Sequence, residues 1–144
     1  MFNPSRDQAR QFFFDTWLKY GQHQPLSQLE AMALEILLRH PEYHALLNAP
    51  ERYLERDYQP EQGESNPFLH LSLHLAVAEQ LSIDQPAGIK GRYQKLLEQG
   101  SDPHHAQHQL MECLGEMIWQ SQRNRSAPDA MVYFTCLAHR EISG

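Results

Sequence analysis

Three pairs of histidines in this chain share a spacing of four residues, and the pairs are His40/His44, His70/His74 and His104/His108. Side chains four apart on an α-helix lie one above the other, with about 5–6 Å between their Cβ atoms. Two imidazoles at that distance can bind one metal ion, share a proton or join one hydrogen-bond network. The chain has nine histidines among its 144 residues, so this spacing accounts for most of them. The sequence therefore indicates a site built from imidazoles, but it does not name a reaction.

The first-choice metal ligands are the pairs His70/His74 and His104/His108, because each pair is predicted to lie on a core helix. Zinc takes about four N, S or O ligands, and imidazole also suits iron, copper and nickel. Glu112 follows His108 by one helical turn and adds a carboxylate, either as a ligand or as a general base. A mixed histidine and carboxylate set favours Zn or non-haem Fe over Ca or Mg. The sequence predicts that the two pairs share one ion, and metal-assisted hydrolysis is the reaction class favoured if the site is catalytic.

Glu30, His40 and His44 form a second tier of candidate ligands. Pro41 lacks an N–H and disfavours helical geometry at the residue before it, so we expect a helix to break there. His40 and His44 would then flank the break and need not share one face. Ser27 and Glu30 have the spacing of a capping box, in which the Glu carboxylate binds backbone N–H at a helix start.

Two alternative hypotheses assign no metal to the chain. In one, the histidines are structural, satisfied by backbone carbonyls, and the protein is a non-enzymatic interaction or regulatory module that forms a homodimer or binds another protein. Its basis is that Phe12 and Phe14 cannot share a helix face with Phe13, and a spare aromatic face often marks a partner surface. In the other, the same imidazoles form a pH-responsive switch. A nucleophilic Cys–His pair is disfavoured, because Cys113 falls within an apolar helix face typical of core packing.

Helix signals occur along the chain, and we find no convincing strand. Asn66-Pro67 and Asp102-Pro103 each place a capping residue before a proline, the typical start of an α-helix. The first of these helices is predicted near 67–82 and is apolar nearly all round, as a buried central helix is. The second is predicted near 103–123 and is the longest. With short helical pieces over 41–57 and further helices elsewhere, the pattern predicts an all-α bundle of about five to seven helices.

Composition narrows the classes of function. A chain of this length is expected to form a single domain over 1–144. The formal net charge of −6 argues against a general nucleic-acid binder. The most apolar stretch, over 69–81, is too short to span a bilayer, which needs about 20 apolar residues. No signal peptide is evident, and Cys113 and Cys136 form no CxxC motif and suggest no disulfide framework. A cytoplasmic location is therefore expected.

Several motifs spread over essentially the whole chain are specific when taken together. They are Met1-Phe-Asn-Pro-Ser-Arg6, His40-Pro-Glu-Tyr-His44, Asn66-Pro-Phe-Leu-His70 with His74, Pro86-Ala-Gly-Ile89, and His104 and His108 leading through Met111-Glu-Cys-Leu-Gly-Glu116 to Trp119 and Arg123. On these motifs the chain resembles a proteobacterial family catalogued as domain of unknown function 1841. The resemblance implies a small bacterial cytoplasmic protein, and it implies nothing about a substrate.

Overall fold

The computed structural model describes residues 6–54, 56, 66–100 and 102–143. Within these residues the chain forms eight α-helices, one 3₁₀ turn and no strand. In chain order the elements are α1 (Arg6–Gly21), α2 (Gln28–Leu38), the 3₁₀ turn (Pro41–Tyr43), α3 (His44–Leu47), α4 (Pro50–Tyr53), α5 (Pro67–Ile83), α6 (Ile89–Glu98), α7 (Pro103–Asn124) and α8 (Ala130–Ser143). The all-α prediction is confirmed. The helix count is slightly higher than predicted, because the described part of 41–57 contains two separate single-turn helices.

The chain divides within α5 into two compact units, which cover residues 1–75 and residues 76–144. The first unit holds α1 to α4 and the first half of α5. The second holds the rest of α5 and α6 to α8. The prediction of a single domain over 1–144 stays a prediction.

The two ends of α2 are set by local sequence. The Ser27 side chain accepts a hydrogen bond from the Glu30 backbone N–H at 3.1 Å, and Glu30 Oε1 accepts one from the Ser27 N–H at 2.9 Å. This is the predicted capping box. The helix ends at Leu38, and Pro41 occupies the first position of the 3₁₀ turn. The predicted break is confirmed, and it places His40 directly before the turn rather than on the helix.

Buried aromatic side chains of α1 build the core of residues 1–75. Phe13 and Phe14 are both buried, and the Phe14 ring lies 5.6 Å from the Phe68 ring of α5. Phe14 is therefore a core residue and not part of a spare aromatic face. Arg10 is also buried, with its guanidinium 4.6 Å from the centre of the Phe68 ring. Its Nη1 donates hydrogen bonds to the carbonyl oxygens of Tyr53, Leu54 and Arg56. A cation at the last carbonyls of a helix is favourable, so Arg10 ties the end of α4 to α1.

In residues 76–144, α6, α7 and α8 pack on one another. Their fully buried apolar side chains include Ile89, Leu96, Leu110 and Leu137. The Tyr133 hydroxyl donates a hydrogen bond to Gln80 Oε1 at 2.9 Å within this core. Burial raises the pKa of Tyr133 far above its usual value, so this hydroxyl remains a donor at all ordinary pH values.

A disulfide joins Cys113 of α7 to Cys136 of α8, with their Cα atoms 5.6 Å apart. The expectation of no disulfide is therefore wrong. The two cysteines are 23 residues apart on different helices, and only the packing of α7 on α8 brings them within bonding reach. Cys113 is fully buried, as its apolar helix face predicted. Disulfides persist mainly in oxidising compartments, so the cysteines no longer support the cytoplasmic location, which stays a prediction.

The helices α5 and α7 lie where the capping signals placed them. The Asp102 side chain accepts a hydrogen bond from the His105 N–H at 2.9 Å and caps α7, the longest of the described helices. Most apolar side chains of α5 are buried or half-buried, but Leu69 is 58% exposed, so one part of this helix faces solvent. Among the described residues, no helix combines the length and apolar character needed to cross a membrane.

Candidate metal centre

Three imidazoles meet in the unit formed by residues 1–75. The ring centres of His40, His70 and His74 form a triangle with sides of 5.1, 4.9 and 4.9 Å. One potential ligand atom from each ring lies within 4.8 Å of those from the other two. His40 and His74 are buried, and His70 is half-buried. The structure therefore joins the predicted His70/His74 pair to His40, a second-tier candidate.

Each imidazole is positioned by a local feature of the sequence. His70 and His74 are one turn apart on α5, so their rings lie next to each other on one side of the helix, with an edge-to-face angle of 75°. His40 follows the end of α2 with φ −124° and ψ 67°, a non-helical conformation that suits the residue before a proline. The break at Pro41 therefore turns the His40 ring toward α5. It also separates His40 from His44.

Glu42 orients the His40 ring. Its Oε1 lies 2.8 Å from Nδ1 of His40. A carboxylate can only accept a hydrogen bond, so Nδ1 carries the proton, and in the neutral ring the lone pair lies on Nε2. Metal-binding histidines commonly donate their second ring N–H to a carboxylate, which fixes the tautomer and makes the ligand more basic. The pair has the arrangement of a histidine ligand with its supporting carboxylate.

Tyr43 packs against two of the three imidazoles. Its ring is stacked on His40, with centres 5.6 Å apart, and lies edge-on to His70 at 6.2 Å. Burial raises the pKa of Tyr43, and the negative charge of Glu42 adds to this effect. The phenol is therefore neutral near pH 7, and its ring restricts the rotation of the imidazoles beside it.

The dimensions of the cluster can be compared with those of a zinc site. Three ring nitrogens at about 2.0–2.1 Å from a tetrahedral ion lie about 3.4 Å from one another. The observed separations are no greater than 4.8 Å, so each pair of nitrogens would need to approach by about 1.4 Å at most. The three residues could therefore hold a metal ion.

His44 and Glu30 have structural partners. His44 Nε2 donates a hydrogen bond to the Leu37 carbonyl at 2.8 Å, and its ring lies 4.5 Å from the Trp17 ring. Glu30 uses one carboxylate oxygen in the capping box and the other in an ion pair with Lys19 at 2.8 Å. The hydrogen bond from Lys19, and then that from the Ser27 backbone, lower the pKa of Glu30. These contacts stabilise helix ends and packing, and neither residue belongs to the three-histidine cluster.

The second predicted histidine pair lies on α7, in residues 76–144. The ring centres of His104 and His108 are 4.3 Å apart, so these side chains are neighbours as their spacing predicted. Glu112, predicted as a carboxylate ligand or general base, forms an ion pair with Arg140 of α8 at 2.8 Å. Among the described residues, no group of metal-ligand atoms this close together includes Glu112. The prediction that both histidine pairs bind one ion stays a prediction.

Two residues beside the histidine cluster were not among the candidate site residues predicted from the sequence. Glu42 and Tyr43 belong to the His40-Pro-Glu-Tyr-His44 motif, and both contact His40. The sequence signal for Glu42 was a carboxylate two residues after a histidine, with a proline between them. Spacing alone favoured the regular i,i+4 pairs and ranked His40 lower, because the direction of a side chain after a helix break cannot be read from periodicity.

The fold and this cluster define an all-α protein with a buried group of histidines able to hold a metal ion. The family model described as Domain of unknown function (DUF1841) matches residues 5–139, nearly the whole chain. The chain therefore belongs to this family, which confirms the resemblance seen in its motifs. No curated protein and no solved structure shows a significant match to the chain.

Proposed function

We propose that the protein binds one transition-metal ion, Zn²⁺ or Fe²⁺, through His40, His70 and His74. The observation that carries this proposal is the convergence of three imidazoles from two separate segments, with their ligand atoms within 4.8 Å. The Glu42 carboxylate on His40 supports it, because such a partner is typical of a metal-binding histidine.

The donor set favours zinc over iron. Three histidines with one open position form a known class of catalytic zinc site, whereas non-haem Fe²⁺ oxygenases use two histidines and one carboxylate. Ca²⁺ and Mg²⁺ prefer oxygen ligands and do not suit the cluster. Zinc in such a site lowers the pKa of bound water to about 7, which supports metal-assisted hydrolysis as the reaction class.

Metal analysis of the untagged protein tests this proposal. After growth with added zinc and iron, mass spectrometry of the elements is expected to find about one ion per chain. His40→Ala and His74→Ala are expected to lose it. His44→Ala is the matched control, since His44 lies in the same motif but binds the Leu37 carbonyl. This variant is expected to keep the ion while losing some stability.

The proposal is overturned if folded His40→Ala protein retains a full equivalent of metal, or if wild-type protein stays metal-free after supplementation. The wider ligand set predicted from sequence, which adds His104, His108 and Glu112, is tested by the same measurement. His108→Ala changes the affinity for metal only if His108 is a ligand.

A groove on α1 favours the second candidate function, a non-enzymatic module that forms a homodimer. The groove has a volume of about 540 Å³ and is lined by Trp17, Tyr20 and Leu47, among others. Leu18 also lines it and is 57% exposed, and Tyr20 is 43% exposed. Sedimentation equilibrium of wild type and Leu18→Glu tests this candidate. A dimer that the substitution dissociates supports it, and a monomer at every concentration contradicts it.

A further inference from the structure

The two cysteines of the Cys113–Cys136 disulfide differ in burial. Cys113 is fully buried in the core of residues 76–144, whereas Cys136 is partly exposed. Cys136 also lines a surface cavity of about 570 Å³ between α7 and α8. Thiol–disulfide exchange requires a thiolate to reach one sulfur atom directly, so access decides which sulfur is attacked. Of the two cysteines, Cys136 lines the cavity and Cys113 does not, so we take Cys136 as the side from which a thiolate approaches.

Acidic and basic side chains surround the cavity. Glu112 and Glu116 come from α7, and His139 and Arg140 come from α8, three and four residues after Cys136. Arg140 Nη1 is 2.8 Å from Glu112 Oε2, and both side chains remain about half-exposed. The cavity can therefore offer a cation to a carboxylate and a carboxylate to an ammonium group within reach of one sulfur atom.

We propose that this cavity binds small zwitterionic thiols of the amino-acid or peptide type and that they exchange with the disulfide at Cys136. Arg140 and His139 would face the carboxylate of the thiol, and Glu116 would face its ammonium group. The cavity is large enough for a tripeptide-sized molecule, since ligand pockets commonly measure about 300–1,000 Å³. This site is independent of the histidine cluster.

The exchange has two balanced steps. The incoming thiolate attacks the sulfur of Cys136 and forms a mixed disulfide there. The Cys113–Cys136 bond breaks, and its electron pair goes to the sulfur of Cys113, which takes a proton from water. A second thiolate then attacks the added sulfur, which releases the oxidised thiol dimer and leaves Cys136 reduced. Two thiols are oxidised and one protein disulfide is reduced.

The position of Cys113 sets the outcome of the first step. The packing of α7 on α8 holds its sulfur beside Cys136, so attack on the mixed disulfide is intramolecular and re-forms the original bond. The mixed disulfide therefore stays at low occupancy in the wild-type protein and accumulates when Cys113 is removed. The site would then act as a reversible modification site on Cys136.

Paired cysteine variants test which sulfur reacts. Folded Cys113→Ser and Cys136→Ser proteins, checked by circular dichroism, are mixed with glutathione disulfide and followed by intact mass spectrometry. Cys113→Ser is expected to gain one glutathionyl group on Cys136. Cys136→Ser is expected to react at least about tenfold more slowly, because its remaining thiol is buried. Equal rates, or faster reaction at Cys113, would overturn the proposal.

The wild-type protein provides a test that does not depend on how the variants fold. Oxidised protein is treated with reduced glutathione, quenched with an alkylating reagent and digested. Peptide mapping is expected to find the glutathionyl group on Cys136 and the alkyl group on Cys113. The reverse assignment would refute attack at Cys136.

The charges of the cavity are tested with two thiols. Arg140→Gln and Glu116→Gln are expected to slow the reaction of glutathione about two- to fivefold and to leave that of uncharged 2-mercaptoethanol unchanged. Lys95→Gln, which removes an exposed charge on α6, is the matched control and should change neither rate. Equal slowing of both thiols, or no slowing of glutathione, would show that the cavity does not recognise the zwitterion.

Discussion

Replacing Glu42 by glutamine separates metal binding from folding more cleanly than removing a histidine does. Glu42 lies on the surface with its side chain 56% exposed, while the His40 ring that it orients is 8% exposed. The substitution keeps the size of the side chain and removes its charge. We expect the fold to be little affected, because a polar contact at a half-exposed side chain contributes about 0–1 kcal/mol. The affinity for metal is expected to fall, because His40 loses a partner that fixes its tautomer.

The size of the effect follows from the contact. A hydrogen bond to a charged group contributes about 1.5–3 kcal/mol, and the exposure of Glu42 reduces this to about 1–2 kcal/mol. Since 1.4 kcal/mol corresponds to a factor of ten in Kd, the Kd for Zn²⁺ is expected to rise about tenfold. This lies at the lower end of the roughly 10–100-fold losses found when such supporting groups are changed.

Competition against a chromophoric zinc chelator measures this Kd, and thermal unfolding of the metal-free protein measures stability. Glu35→Gln is the control, because Glu35 is exposed on α2 in the same unit and its loss changes the net charge equally. A Kd for Glu42→Gln within about twofold of both wild type and this control would refute the orienting role of Glu42. If His40→Ala also bound zinc with the wild-type Kd, the assignment of the metal site to His40, His70 and His74 would be wrong.

Three further predictions concern stability. Arg10→Met should lower the free energy of unfolding by about 3 kcal/mol in urea titrations, because it removes the donor to three carbonyl groups but keeps the aliphatic stem. Tyr133→Phe should cost about 1–2 kcal/mol in the same assay, since Gln80 Oε1 loses a buried donor. Glu30→Gln should cost about 1 kcal/mol at pH 7. Because Lys19 lowers the folded-state pKa of Glu30, its contribution is complete above the unfolded value of about 4.5 and is lost as pH falls through the folded value, so the variant should approach wild type in acid.

Each of these predictions has a result that would contradict it. Arg10→Met with a loss below about 1 kcal/mol would show that the three carbonyls find other partners. Tyr133→Phe as stable as wild type would show that the hydroxyl contributes nothing net to the core. A constant difference in stability between Glu30→Gln and wild type from neutral to acid pH would show that the stabilisation by Glu30 does not depend on its charge.

The elements could be predicted closely because their signals are local. Ser27 and Glu30 cap α2 through atoms three residues apart, and Asp102 caps α7 in the same way. Pro41 interrupts the helix because it has no backbone N–H to donate. Such effects depend on a few neighbouring residues, and a single sequence shows all of them.

The candidate site could be predicted only in part. The His70/His74 pair was visible because both residues lie on one helix with a fixed period. His40 joins them from a different segment, and the direction of its ring depends on how the chain leaves α2 and meets α5. His44 shared the same i,i+4 signal and yet binds the Leu37 carbonyl. Spacing identifies side chains that are near each other along a helix, but not the environment they enter.

The sequence by itself determined the all-α class, the main helix boundaries and an excess of paired imidazoles, because caps, prolines and apolar periods act over a few residues. Only the tertiary structure decided that His40 joins His70 and His74, that Glu42 supports it, and that Cys113 reaches Cys136. Apart from the contact between Glu42 and His40, these pairings join residues 23 to 34 positions apart in the chain, counting from Cys113 to Cys136 and from His40 to His74. Contacts across such separations depend on which faces of the helices pack together, and that choice is made by the whole core and not by any local pattern.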